Sequence, residues 1–227
     1  MSKKFVLCLM ALALCSLPAM AQTTLFSDLG TGTDVYNGAV GYVVAGSGFV
    51  GESYTAANEF TAGASGSISQ IDIGIGTGNG ANSFFAALYT ASGNNPGTLI
   101  QQWNNLSATE IFGQCCGLVT ISGITGVDLV AGTSYFMILG PTNLTSTTYD
   151  GWNFNSTGAT GTDLYATSGC QNGSGNGCSW NSNGTLPTGA FDVLGSTGAS
   201  VPEPSSLLLL GTGLVGAFGT IRRKLMR

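Results

Sequence analysis

Between Gln22 and Ser200 the chain has no lysine, no arginine and no histidine. All six basic residues stand at its ends: Lys3, Lys4, Arg222, Arg223, Lys224 and Arg227. Of the eleven acids, all but Glu203 lie in the cation-free span: Asp28, Asp34, Glu52, Glu59, Asp72, Glu110, Asp128, Asp150, Asp163 and Asp192. A fold made from this span contains no salt bridge between side chains. Its stability must come from burial, backbone hydrogen bonds and disulfides. Nothing in it neutralises phosphate, so nucleic-acid binding is excluded. The same absence removes a Ser-His-Asp triad, a Cys-His pair, a Ser-Lys dyad and His-based metal catalysis.

The span is long enough to bury one good core. Its low charge, with recurrent Val, Ile, Phe and Tyr, argues for a β-rich fold rather than disorder. Ile71, Ile73 and Ile75 alternate with Asp72 and Gly74, the period of a half-buried strand. Further strands are predicted at Thr23 to Phe26, Ser53 to Thr61, Phe84 to Thr90 and Leu99 to Trp103, and again at Leu118 to Ile121, Tyr135 to Leu139, Trp152 to Phe154 and Ala190 to Leu194, while Asp34 to Val44 is apolar but broken by Gly38 and Gly41. Gly76 to Gly80 and Gly93 to Gly97 read as turns. Asn153 to Asn183 is rich in Asn, Gly, Ser and Thr and reads as a long decorated loop. No segment has the period of an amphipathic helix. The pattern predicts an all-β, antiparallel sandwich or jelly roll over residues 22–200.

Both ends carry export information. Lys3 and Lys4, the apolar run Phe5 to Leu14 and Ala19-Met20-Ala21 form a signal peptide over residues 1–21, with Gln22 as the mature start. Leu14 before Cys15 excludes a lipoprotein. Residues 201–227 read Val201-Pro202-Glu203-Pro204, an uncharged apolar run over 205–221, then Arg222, Arg223, Lys224 and Arg227. A helix over 205–221 spans about 25 Å, the lower limit for crossing a bilayer. Its glycines are tolerated in membranes, and the cations act as a stop signal on the cytoplasmic side. The physical reading leaves open a retained tail anchor or a processed signal. This Pro/Glu box, glycine-bearing helix and basic tail resemble the PEP-CTERM sorting signal. The resemblance implies recognition of Val201, Pro202, Glu203 and Pro204 by an exosortase, transient membrane attachment, and a Gram-negative-type bacterium with exopolysaccharide.

Ala56 to Pro141 resembles, more loosely, the choice-of-anchor β-sandwich domains found beside such signals. The resemblance rests on Asn58-Glu59-Phe60, Ile71-Asp72-Ile73, Ala87-Leu88-Tyr89, Pro96-Gly97 and Leu129 to Tyr135. It implies an extracellular domain and brings no catalytic residues.

Cys8 and Cys15 leave with the signal peptide. Cys115, Cys116, Cys170 and Cys178 remain, an even number that suggests disulfides after export. Three connectivities exist. Closing the glycine-rich loop between Cys170 and Cys178 is favoured, which leaves Cys115 with Cys116. A zinc site has no matching spacing.

No cofactor or metal is expected, although calcium at Asp150 and Asp163 would relieve the excess negative charge. Without a recognised calcium loop these carboxylates are expected in solvent. Trp152, Trp180 and Tyr149 are candidate glycan contacts in polar, Gly-rich surroundings, with Tyr165 as a further one, whereas Trp103 belongs to the core. Glu52, Glu59 and Glu110 are the candidates for a carboxylate-pair glycosidase. The chain is expected to be a non-catalytic, exported surface or matrix protein associated with exopolysaccharide and biofilm. A carbohydrate-binding module is the alternative, and a secreted glycosidase the competing class. The expected partners are signal peptidase and exosortase during processing, the membrane through the carboxyl-terminal helix, and extracellular polysaccharide.

Overall fold

The computed structural model describes residues 22–167 and 178–197. These belong to one compact unit, Ala21–Gly198. The signal peptide, the sorting segment with its proposed helix over 205–221, and Cys170 lie outside the described residues. Among the described residues no helix is long and apolar enough to cross a membrane. The described residues form fifteen strands and one helical turn, α1 (Ser47–Val50).

Two sheets form the sandwich. The smaller has β1 (Thr23–Ser27), β15 (Phe191–Ser196) and β4 (Gly66–Ile73) in sequence, with β9 (Val119–Ser122) and β10 (Asp128–Leu129) both on β4. The larger runs β7 (Asn95–Leu106), β6 (Phe84–Ser92), β11 (Ser134–Pro141), β3 (Tyr54–Thr61), and on from β3 to β13 (Thr160–Thr167) and β14 (Asn181–Pro187). A second group, β2 (Tyr36–Ala45), β12 (Tyr149–Asn155), β5 (Ile75–Asn79) and β8 (Glu110–Ile111), joins β3 through the single pair Ala45 with Tyr54. The pairings are antiparallel except β5 with β8, a parallel pair that the expected all-antiparallel sandwich did not include.

The isoleucine alternation explains the corner between the sheets. Ile71 and Ile73 point into the core from β4, and Ile75 does so from β5 in the other sheet. Gly74 is the crossing. Its N–H donates to the Ala190 carbonyl at 2.9 Å, and its carbonyl accepts from the Asn153 N–H at 2.9 Å. A Cβ there would press on the Tyr36 ring at 2.8 Å, so the corner needs glycine. Just beyond it, Gly76 to Asn79 continue as β5 rather than turning, because β12 and β8 supply their backbone partners.

The core between the sheets joins Leu25, Ile71, Ile73, Phe191 and Val193 to Val44, Leu88, Met137, Leu139 and Trp152. Phe191 sits 4.8 Å from Phe26 and 5.2 Å from Phe60 by ring centroids. A second cluster covers the opposite face of β6, β11 and β3, with Phe85, Ala87, Tyr89, Phe136, Ile138, Ala57 and Leu164. Strands buried on both faces lose the polar half of their alternation. That is why Phe84 to Tyr89 and Tyr135 to Leu139 are nearly continuous apolar runs.

The predicted loop over Asn153 to Asn183 is a misreading. It contains the end of β12, all of β13 and the start of β14. Backbone pairing with Thr55 to Asn58 of β3 builds β13 in spite of its polar composition, and Leu164 anchors it in the second cluster.

Candidate functional site

A groove lies astride β2. On one side of the strand it is apolar, about 410 Å³, bounded by Val40, Val43, Phe112, Tyr149 and Phe154. On the other side it is polar, about 740 Å³, bounded by Glu52, Tyr54, Tyr165, Thr167, Asn181 and Asn183. Gly41, Tyr42 and Val43 form the ridge common to both.

Glycines let the apolar side form. A Cβ on Gly151 would enter the Phe112 ring, so the ring lies flat on β12. The segment after β8 holds Phe112 there: its N–H donates to the Thr77 carbonyl at 2.8 Å, and that of Gly113 to the Gly38 carbonyl at 3.0 Å. Cys115 and Cys116, adjacent in the chain and the pair left over in the expected connectivity, follow directly. On the far wall Tyr149 stacks on Phe49 of α1, with centroids 4.8 Å apart at 33°.

The polar side is organised by a buried carboxylate. Asn58 and Asp163 are paired across β3 and β13, and both are 1% exposed. The Gly189 N–H donates to Asn58 Oδ1 at 2.7 Å, and Asn58 Nδ2 donates to Asp163 Oδ1 at 2.8 Å. Asn183 Nδ2 donates to Asp163 Oδ2 at 2.6 Å. A carboxylate only accepts, so it fixes which end of the Asn183 amide faces it. Burial pushes the Asp163 carboxyl up; the hydrogen bonds from Asn183 and Asn58 pull it back. Tyr42, in the ridge, donates to the Pro187 carbonyl at 2.6 Å; burial, then the Asp163 charge, raise its phenol.

The candidate glycan contacts separate. Tyr149 is half-buried and lines the apolar side. Tyr165 lines the polar side. Trp152 is the correction: it is 0% exposed, its Nε1 donates to the Ala190 carbonyl at 3.2 Å, and its ring leaves no room for a Cβ on Gly189. Its side chain lies on the core face of β12, so its polar sequence neighbours misled. Trp180 is half-buried and packs on the second cluster rather than lining the groove. Trp103 is half-buried against the main core.

Asp150 and Asp163 also differ from expectation: both are buried rather than solvated. Burial pushes the Asp150 carboxyl up to about 6, and among the described residues neither of its oxygens has a hydrogen-bond partner. Among the described residues no three Asp, Glu or Cys side chains converge as a metal would require. The glycosidase candidates are dispersed. Glu52 lines the polar side of the groove, Glu59 accepts from Thr162 Oγ1 in a separate depression, and Glu110 pairs with Gly76 in β8. The expected Cys170–Cys178 pairing involves Cys170, which lies outside the described residues. Tyr54, Asn181, Asn183, Val40, Val43 and Phe112 were missed. Only the turn-rich polar run around Asn181 could have hinted at them.

Comparison with known proteins bears on the carboxyl end. Residues 200–224 match the family model of the PEP-CTERM protein-sorting motif. No curated protein matches the chain. Val201, Pro202, Glu203 and Pro204, with Arg222 to Lys224, all fall inside the matched segment. The chain therefore carries a PEP-CTERM protein-sorting motif and is an exported protein sorted through an exosortase.

Proposed function

We propose that the protein is a non-catalytic component of the cell surface or extracellular matrix, working among exopolysaccharide, and that it contacts polysaccharide through the groove astride β2. The observation that carries this reading is the polar side of the groove. Tyr54 and Tyr165 line it beside Asn183, an exposed side chain whose amide is held by a buried carboxylate. Preorganised polar groups of this kind bind hydroxyls without first losing their own freedom.

A carboxylate-pair hydrolase is the rival class. It needs two convergent acids. Glu52 is the one exposed acid that lines the groove, since the Asp150 and Asp163 carboxyls are buried in the sheets. The test is a glycan array with the mature exported protein, alongside an assay of sugar release from each bound glycan. Binding without release, lost on Tyr165→Ala, is expected. Sugar release abolished by Glu52→Gln would establish the hydrolase instead.

A further inference from the structure

The two sides of the groove differ in chemistry, and the difference selects among polysaccharides. Resting on the polysaccharide reading above, we propose that the ligand is an amino-sugar polymer bearing N-acetyl groups and some free amines.

Charge removes one large class at once. A uronate or sulfated polymer would meet ten acids and no cation between Gln22 and Ser200. The field of such a domain repels polyanions and draws polycations. A neutral polymer is admitted, and one with scattered ammonium groups is favoured.

The apolar side narrows the choice. Seven large hydrophobic side chains are notably exposed among the described residues, and five of them belong to this region. Val40 and Val43 line the groove, and Phe49 stacks on its Tyr149 wall with Val50 beside it in α1. Ile111 immediately precedes Phe112. A plain hexose carries a hydroxyl at nearly every carbon and would bring several against valine and phenylalanine without partners. An acetamido group instead presents a methyl to these side chains and an amide to the strand edges and the Tyr149 hydroxyl. Consecutive rings of one chain then lie on the two sides of the Gly41–Val43 ridge. One ring places its acetyl group on the apolar side. The next gives hydroxyls to Asn181 and Asn183 and, where deacetylated, an ammonium to Glu52.

The experiment is titration calorimetry of the mature exported protein with four probes. These are a fully acetylated N-acetylglucosamine hexamer, a partly deacetylated one, a glucose hexamer and a galacturonate hexamer. The partly deacetylated hexamer is expected to bind best, and the glucose hexamer about fivefold or more below the acetylated one, as loss of buried methyl groups dictates. The galacturonate hexamer is expected not to bind. Glu52→Gln should lower affinity for the partly deacetylated hexamer about tenfold and leave the fully acetylated one unchanged; raising salt to about 0.5 M should have the same effect. Val43→Asp, at an exposed site that leaves the fold intact, should weaken both amino-sugar hexamers. Equal affinity for the glucose and acetylated hexamers would overturn the amino-sugar inference and leave the groove a polysaccharide site. Preference for galacturonate would overturn the charge argument and with it the inference. Binding of none of the four would overturn both the inference and the polysaccharide reading.

Discussion

Asp72 on β4 and Asp192 on β15 stand directly opposite one another, two carboxyls on one face of the smaller sheet with no cation to separate them. Asp72 accepts from Gln70 Nε2 at 2.6 Å and from Thr120 Oγ1 at 2.5 Å. Asp192 Oδ1 is buried with no hydrogen-bond partner among the described residues. Burial, and next the Asp72 charge, push the Asp192 carboxyl up to about 7. Asp28, which accepts from the Phe191 N–H at 2.8 Å and from Thr188 Oγ1, is also raised to about 7, chiefly by burial.

These groups make stability fall with rising pH. Asp28, Asp192 and Asp150 keep their protons in the folded chain at pH values where the unfolded chain has released them. Their contribution is fullest below about pH 4 and is lost as pH rises through the folded values near 6 and 7. The urea midpoint should therefore be higher at about pH 5 than at about pH 8 in constant salt. Asp192→Asn should flatten the dependence and add about 1 kcal/mol at the higher pH. A midpoint that climbs from the lower pH to the higher would refute the assignment.

The Asn58–Asp163–Asn183 network should divide between stability and binding. Asn58→Ala leaves the Gly189 N–H and a buried carboxylate short of partners and should cost about 2–4 kcal/mol in urea unfolding. Asn183 is exposed at its outer end. Asn183→Ala should leave stability within about 1 kcal/mol and lower polysaccharide affinity about tenfold. Loss of stability without loss of binding in Asn183→Ala would make the network purely structural.

Trp152 should behave as core. Trp152→Ala is expected to cost about 3–5 kcal/mol, while Trp152→Phe should retain glycan binding in its folded fraction. Fluorescence-monitored unfolding and binding measurements on the two variants separate packing from recognition. Abolished binding in a fully folded Trp152→Phe would return this residue to the groove.

Processing has its own check. Intact-mass analysis of the exported protein should give Gln22 as the first residue and nothing beyond the Pro/Glu box. Glu203→Ala should leave the tail attached. A wild-type protein that still ends in Arg227 would be a retained membrane anchor.

Strand position was readable wherever one face is buried and the other wet, as in Ile71 to Ile75. It failed where backbone pairing, rather than side chains, makes the strand. β13 and β14 are Thr, Gly and Asn over most of their length; the strand that orders β13 lies about a hundred residues earlier in the chain, and β14 depends in turn on β13. The groove was lost with them, because Tyr165 and Asn183 meet Tyr54 only through that pairing. Trp152 misled for a related reason: a strand between Asp150 and Asn153 looks polar, yet those side chains too are buried within the sheets. The sorting signal was legible throughout because an exosortase substrate is recognised by local sequence.

Among the described residues, the Ala45–Tyr54 pair is the only backbone pairing between the β2–β12–β5–β8 group and β3. The two groups carry opposite walls of the groove. A polymer lying across the ridge would therefore act as a cross-brace over the weakest seam of the larger sheet. Under shear, load carried by that polymer would pass into both groups at once instead of across so sparsely paired a seam. The protein would yield at a higher force when loaded with polymer than when bare.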